Sequence, residues 1–315
     1  MLLKTLNLQV IMMKISIENE TQRLRAVVVG IANNFGGTPK EEECYDPKSR
    51  EHVKAGTFPV EKDCIAEVNA LVQVFEKYGV EVLRPQNIKG LNQIFPRDIA
   101  FAIDNKLVIP NVIEDRKEEI SAIDEVLNQI AKEDIIRMPE NARAEGGDVI
   151  PWNDYIFVGY SEKEDFEDYI VARTNKAGLN FLSATFLNKN VKGFELNKSD
   201  EDPRENALHL DCCFQPIGKD MAILYKGGFK KEKDVEFIVN HFGGDNIIEI
   251  SKEEMYNMNA NVFSISENVI VSEKGFMRLN NELSRRGFTV EEVPYAEVSK
   301  MEGLLRCSTM PLIRE

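Results

Sequence analysis

Hydrophobic and polar positions fall into a unit that recurs from residue 98 onward: strand, short polar turn, strand, amphipathic helix, strand. In its first copy the run Ile99–Ile103 is followed by Asp104-Asn105-Lys106, the run Leu107–Ile109, a helical segment near Arg116–Lys132 and the run Ile135–Met138. The second copy predicts strands at Asp148–Trp152 and Tyr155–Gly159, a helix near Asp165–Ala177 and a strand over Asn180–Phe186. The third predicts strands at Leu208–Ile217 and Met221–Tyr225, a helix near Lys231–Phe242 and a strand at Ile247–Ile250. The fourth has Ala260–Ile265, Val269–Ser272, a helix near Gly275–Arg286 and Thr289–Val293. β-Branched runs bounded by Asn, Asp and Gly favour the hairpins. Apolar residues at three- and four-residue spacing, as in Ile120, Ile123, Val126, Leu127 and Ile130, favour the helices.

The two ends of the chain supply a fifth unit. Ala26–Val29, a helix near Glu61–Tyr78 and Val80–Leu83 come from the N-terminal part, and Arg306–Ile313 is a strand with no helix after it. A last strand that pairs with the first closes a ring and hides the sheet edges. The expected architecture is therefore α/β, a pseudo-fivefold repeat of strand–strand–helix–strand units in one domain over residues 14–315. Residues 1–13 are expected to be an extension without fixed structure, with Met12 or Met13 an alternative start.

Polar residues interrupt this pattern at related places, shortly before the hairpin turns: Asp98, then Glu145 and Asp148, then His209 and Asp211, then Asn259 and Asn261. Cys307 lies near the start of the last strand. Equivalent positions of symmetric units meet near the symmetry axis, so carboxylates, an imidazole, amides and a thiol should converge there. Burying such a set is costly unless its charges are paired and used. His52 and His241 lie in charged or turn-like contexts and are assigned to the surface.

Composition narrows the function. The formal net charge is -14, which argues against a nucleic-acid partner. No apolar run approaches the roughly 20 residues of a bilayer helix, and the opening MLLKTLNLQVIMMK lacks the small-residue cleavage site of a signal peptide. The five cysteines form neither a CxxC pair nor a disulfide framework. Free thiols in a reducing, cytoplasmic compartment are expected. Nothing in the sequence fixes the oligomeric state, and a homo-oligomer is compatible with it.

Phe95-Pro96-Arg97-Asp98, Glu145-Gly146-Gly147-Asp148, His209-Leu210-Asp211 and Arg306-Cys307-Ser308-Thr309-Met310-Pro311-Leu312 resemble, in order, the motifs of the guanidino-group-modifying, pentein-fold superfamily. Its members include arginine deiminases, dimethylarginine dimethylaminohydrolases and amidinotransferases. The resemblance implies a five-bladed α/β propeller and a cysteine enzyme acting on a small guanidino substrate, with no metal and no organic cofactor. It implies Cys307 as nucleophile, His209 as acid and base, and Glu145 orienting His209. Asp98 and Asp211 would grip the guanidinium, with Arg173, Asp148 and Asn261 also binding substrate. Hydrolysis of arginine or a derivative through an amidino-thioether intermediate is the expected reaction. Transfer of the amidino group to an amine is the alternative, and a non-catalytic binding module a further one, since fold alone does not dictate function. Glu302, where an arginine might be sought, argues against free L-arginine as substrate.

Overall fold

Three of the predicted hairpin turns place a residue in the left-handed region, Asp104 at φ 50, Asn153 at φ 53 and Gly218 at φ 63, where short polar residues and glycine are least penalised. Each turn folds one strand back on the next. In the computed structural model, which describes residues 12–315, this generates five three-stranded sheets. The middle strand of every sheet runs antiparallel to one neighbour and parallel to the other. Lys106–Ile109 lies between Phe101–Ile103 and Ile135–Arg137, and Tyr155–Tyr160 between Val149–Trp152 and Asn190–Glu195. Met221–Leu224 lies between Phe214–Ile217 and Ile247–Glu249, and Val269–Glu273 between Phe263–Ser266 and Thr289–Val293.

The fifth sheet joins the chain ends as expected. Leu24–Val29 pairs antiparallel with Thr309–Arg314, with Val27 opposite Pro311 and Val29 opposite Thr309, and parallel with Glu81–Leu83. The protein is a five-bladed α/β propeller. The extension expected over residues 1–13 lies, as far as residue 11, outside the described residues. Met13 already donates its N–H to the Gln129 carbonyl at 2.7 Å, and Ile15 and Ile17 are buried among Ile99, Leu107 and Leu312.

Helices pack outside the sheets by their apolar stripes. In Glu61–Lys77 the residues Cys64, Val68, Leu71 and Phe75 are buried on one face. Gly79, at φ 69, follows this helix in the left-handed conformation that commonly ends one.

Two blades depart from expectation. Asn180–Phe186 was expected to be a strand, but most of it lies in the helix Lys176–Thr185, capped where the Asn175 side chain accepts from Gly178 N. Its Phe, Leu and Thr read as a strand, yet Leu179 and Leu182 face the core at helical spacing. The blade's third strand is Asn190–Glu195. The helix expected near Asp165–Ala177 stops at Asp168. The following loop is held where the Asp200 carboxylate accepts from Ile170 N and Val171 N, both at 3.1 Å.

In the first unit, the segment near Arg116–Lys132 forms 3-10 turns over Glu114–Ile123 and a short α-helix Asp124–Leu127. Residues three apart eclipse in a 3-10 helix. This brings Arg116 and Glu119 onto one side.

Candidate active site

The polar positions of the repeat sit on short turns ahead of each blade's first strand, not on the strands themselves. Asp98 lies in the helical turn Pro96–Ile99, Asp148 in the 3-10 turn Gly146–Asp148 and Asp211 in the 3-10 turn Leu210–Cys212. The strand expected from Leu208 begins only at Phe214. Cys307 occupies the corresponding turn before Thr309, held where Ser308 N donates to the Leu304 carbonyl at 3.0 Å. Turns suit this centre because they point several side chains inward while satisfying their own backbone groups.

A cavity of ≈ 210 Å³ has Cys307, Asp98 and Arg173 in its lining. Asn261 fixes the cysteine from two directions. Its Nδ2 donates to Cys307 Sγ at 3.3 Å, and its Oδ1 accepts from the backbone N–H groups of Arg306 and Cys307 at 3.0 and 3.3 Å. Asp211 Oδ2 lies 3.8 Å from the sulfur. Burial and then the negative charges of Asp211 and Asp98 push the thiol well above its ordinary 9.0, so it rests protonated.

His209 is clamped between carboxylates. Its Nε2 is 3.0 Å from Glu145 Oε2 and its Nδ1 is 3.7 Å from Asp98 Oδ1. Burial alone would favour neutral imidazole, but Asp98 and the Glu145 hydrogen bond outweigh it and raise the pKa above 6.5. Burial would likewise raise the Glu145 carboxyl. Arg173, the hydrogen bond with His209 and Arg116 prevail and hold it well below 4.5.

The glycines beside Glu145 are explained by close packing. A Cβ on Gly147 would lie 2.6 Å from His209 Nδ1, and one on Gly146 would overlap the Arg97 carbonyl.

The sequence-predicted residues thus occupy different layers. Cys307, Asp98 and Arg173 line the cavity, and His209, Glu145, Asp211 and Asn261 each contact one of them. Asp148 stands apart from a substrate-binding role. It is fully buried, is absent from the cavity lining, and its Oδ1 accepts from Leu210 N at 2.9 Å, bracing the turn behind His209. Arg173 reaches the cavity but is already engaged, donating to the carbonyls of Ile170 and Tyr45 at 2.8 Å and to Glu145 at 3.3 Å.

Sequence reasoning missed four charged partners. Arg116 Nη1 donates to Asp98 Oδ2 at 2.8 Å, while its Nε and Nη2 form a bidentate pair with Glu119 at 3.0 and 2.7 Å. Burial, with Asp98 and Glu145 crowding the same guanidinium, pushes Glu119 up to about 7 despite that pair. Arg306 donates to Asp211 Oδ2 and to Glu20 Oε1, both at 2.9 Å, and is fully buried. Its place directly before Cys307 was the available signal.

Asp98, Glu145 and His209 present ligand-type atoms within 4.8 Å of one another. Arg116 and Arg173 already neutralise this carboxylate pair.

Comparison with known proteins follows the same lines. The family described as "N,N dimethylarginine dimethylhydrolase, eukaryotic" matches residues 46–314. The chain belongs to that family. It is 24% identical over 244 residues to the N(G),N(G)-dimethylarginine dimethylaminohydrolase of Pseudomonas aeruginosa, covering 77% of this chain and 85% of the relative. It is 29% identical over 245 residues to the uncharacterized protein YkgA of Bacillus subtilis, covering 78% of each.

Among solved structures, the chain resembles the product-bound N-terminal domain of ArgZ, an arginine dihydrolase of cyanobacteria. The TM-score is 0.75 at 16% identity, covering 92% of this chain and 97% of that one. Inosamine-phosphate amidinotransferase StrB1 of Streptomyces griseus also gives 0.75 at 16%, covering 95% and 97%. These two likenesses establish the fold. Membership of the dimethylarginine dimethylhydrolase family places the chain in the pentein superfamily and makes it an enzyme, a hydrolase or an amidinotransferase. Among the described residues no helix is long and apolar enough to cross a membrane.

Proposed function

We propose that this protein is a cysteine hydrolase that cleaves a C–N bond at the guanidinium carbon of arginine or an arginine-like compound. The observation that carries the reading is the joint placement of Cys307, Asn261 and Asp211 beside the cavity, with the His209–Glu145 pair tied to it through Asp98. Membership of a hydrolase-named family favours water over an amine as acceptor.

In this reading a guanidinium docks against Asp98 and Asp211, sharing these carboxylates with the arginines already paired to them. Its positive charge beside Cys307 offsets the carboxylates that hold the thiol protonated, so the thiol proton leaves as the substrate binds. The thiolate forms a bond to the central carbon. As the C–N bond breaks, the departing nitrogen takes a proton from the His209 imidazolium, which Asp98 and the Glu145 hydrogen bond favour in its charged form. The resulting amidino-thioether is attacked by water, whose proton returns to His209. Breaking the C–S bond then regenerates Cys307 and releases a ureido product.

The test is incubation with L-arginine and its Nω-methylated derivatives, followed by analysis of amine, ammonia and ureido products. A ureido product from wild type and none from Cys307→Ala is expected. Ornithine-type products that appear only when an amine acceptor is added would assign the protein to the transferases instead. Equal turnover by Cys307→Ala would refute the covalent route.

A further inference from the structure

A second cavity, of ≈ 440 Å³, lies apart from the catalytic one and shares none of its lining residues. Two carboxylates line it, Glu254 and Glu273. Glu254 is neutralised by Arg278, whose Nε and Nη2 donate to its two oxygens at 2.5 and 2.7 Å. Arg278 Nη2 also donates to the Glu249 carbonyl at 3.1 Å, so this arginine is fully committed there. Glu273 has no such partner. It is 5% exposed, one of its oxygens accepts from Gly275 N, and among the described residues no cation pairs with it. A buried carboxylate is costly unless a cation compensates it.

Asn259 belongs to the same lining. It is 3% exposed, and its Oδ1 has no hydrogen-bond partner among the described residues. A buried anion and a buried neutral acceptor therefore both lack donors at one cavity. The charge nearby has the same sign. Glu67 accepts from Glu297 N and Val298 N at 3.0 and 2.8 Å. Burial above all, with the charges of Glu297 and Glu273 adding to it, raises the Glu67 carboxyl against those two hydrogen bonds. One carboxylate and one amide oxygen fall short of the about six oxygen ligands that Ca²⁺ or Mg²⁺ takes. Phe276, Met277 and Ala296 give the cavity an apolar side, and its volume suits a small organic ligand.

We propose that this second cavity binds the protonated head of a small alkylamine, with Glu273 and Asn259 as its acceptors, and that its occupancy changes the reactivity of Cys307. The ammonium supplies the missing charge and donors, and its alkyl chain packs on the apolar side. Two backbone routes lead from there to the nucleophile. Asn259 stands two residues before Asn261, whose Nδ2 donates to Cys307 Sγ at 3.3 Å. Ala296 and Ser299 belong to the segment that continues through Met301 and Gly303, in the lining of the catalytic cavity, to Cys307. The amine site itself stands independently of guanidine cleavage, and only the effect on Cys307 rests on that reading.

The test is calorimetric binding of butylammonium to the full chain. Butyltrimethylammonium and 1-butanol keep the alkyl chain but lack, in turn, the N–H donors and the charge. Butylammonium is expected to bind about tenfold or more tighter than either, in keeping with a charge-assisted hydrogen bond. Glu273→Gln, which can still accept from Gly275 N, should remove that preference. Met277→Lys, at a lining position 65% exposed and so tolerant of the change, should weaken butylammonium several-fold by placing a rival cation there. Should Glu273→Gln fail to fold, the three probes on wild type and Met277→Lys decide the same question. The second readout is alkylation of Cys307 by iodoacetamide, followed by mass spectrometry. Saturating butylammonium should change its rate about fivefold or more in wild type, a usual size of coupling between sites, and leave Glu273→Gln unchanged. Equal binding of the three probes, or a preference that Glu273→Gln retains, would overturn the site. Binding that Glu273→Gln abolishes, with no change in wild-type alkylation, would overturn its coupling to Cys307. Neither result bears on guanidine cleavage, which the Cys307→Ala comparison tests separately.

Discussion

Replacing Glu145 by Gln tests whether the carboxylate or merely its shape sustains the site. The side chain is fully buried and its carboxylate lies 3.0 Å from His209, 3.3 Å from Arg173 and 3.4 Å from Arg116. At an effective dielectric of about 20, an ion pair at these distances carries roughly 5 kcal/mol of gross Coulomb attraction. Desolvation and the dipoles of the new amide offset much of that, so removing the charge should cost about 3–5 kcal/mol of stability. The sign of the pH effect follows from both partners. Glu145, with its pKa lowered, stabilises the fold above pH 4.5 and loses that contribution as pH falls further. His209, with its pKa raised, contributes fully below pH 6.5 and loses it as pH rises through the folded value. The pair's joint contribution is therefore largest between these limits and should flatten in the variant. Activity should fall by about 10²–10⁴-fold, the usual worth of a positioned acid–base group. Its alkaline limb should move to lower pH, because His209 then loses its proton more readily. Urea unfolding across pH, paired with product-release rates across the same range, makes both measurements. A variant with wild-type rates and an unmoved alkaline limb would refute the role assigned to Glu145.

Substituting Gly147 by Ala should displace the His209 ring, because the new Cβ would lie 2.6 Å from Nδ1; about 1–3 kcal/mol of stability and roughly 10²-fold in kcat should be lost, read by unfolding and steady-state rates. Glu20, lowered to about 2 because Arg306 and Arg97 outweigh its burial, stabilises the fold above pH 4.5 and loses that contribution as pH falls towards 2. That is worth about 3 kcal/mol, and acid titration of Glu20→Gln should show the corresponding flattening. Guanidino-substrate binding should release about one proton near neutral pH, as the cation takes over from the thiol proton. Calorimetry in buffers of different ionisation enthalpy measures this, and Cys307→Ala should release none.

The ring was legible because its signals are local. Alternating strands, Asp and Asn turns and amphipathic stripes recur at each blade, and the closure between Leu24–Val29 and Thr309–Arg314 needed only a strand without a following helix. The errors fell where side-chain partners distant in sequence decide the backbone. Asp200 holds the Ile170–Val171 loop, so the helix expected there ends early and Arg173 reaches Glu145. Arg116 was hidden for a related reason. The 3-10 turn eclipses it with Glu119, three residues ahead, while its Nη1 donates to Asp98, a partner 18 residues away in sequence. Charge partners across blades leave no periodic trace, since Arg306 and Glu20 are joined only by the fold.

Those hidden arginines change how the cysteine must work. Asp98 and Asp211 were expected to wait for a substrate cation, yet Arg116 and Arg306 already lie within 2.8 and 2.9 Å of them. A guanidinium entering this centre cannot simply add its charge to two bare carboxylates. It must share them with guanidinium groups whose removal would leave Glu119 buried and unpaired, and Glu20 with only its 3.5 Å contact to Arg97. The charge that can depart most cheaply is the proton on Cys307, which Asp211 and Asp98 help to hold there. In the proposed reaction, substrate binding and nucleophile activation are then one exchange, a proton out for a guanidinium in. This would leave the thiol inert towards water and oxidants while the site is empty and make it reactive only beside its target carbon.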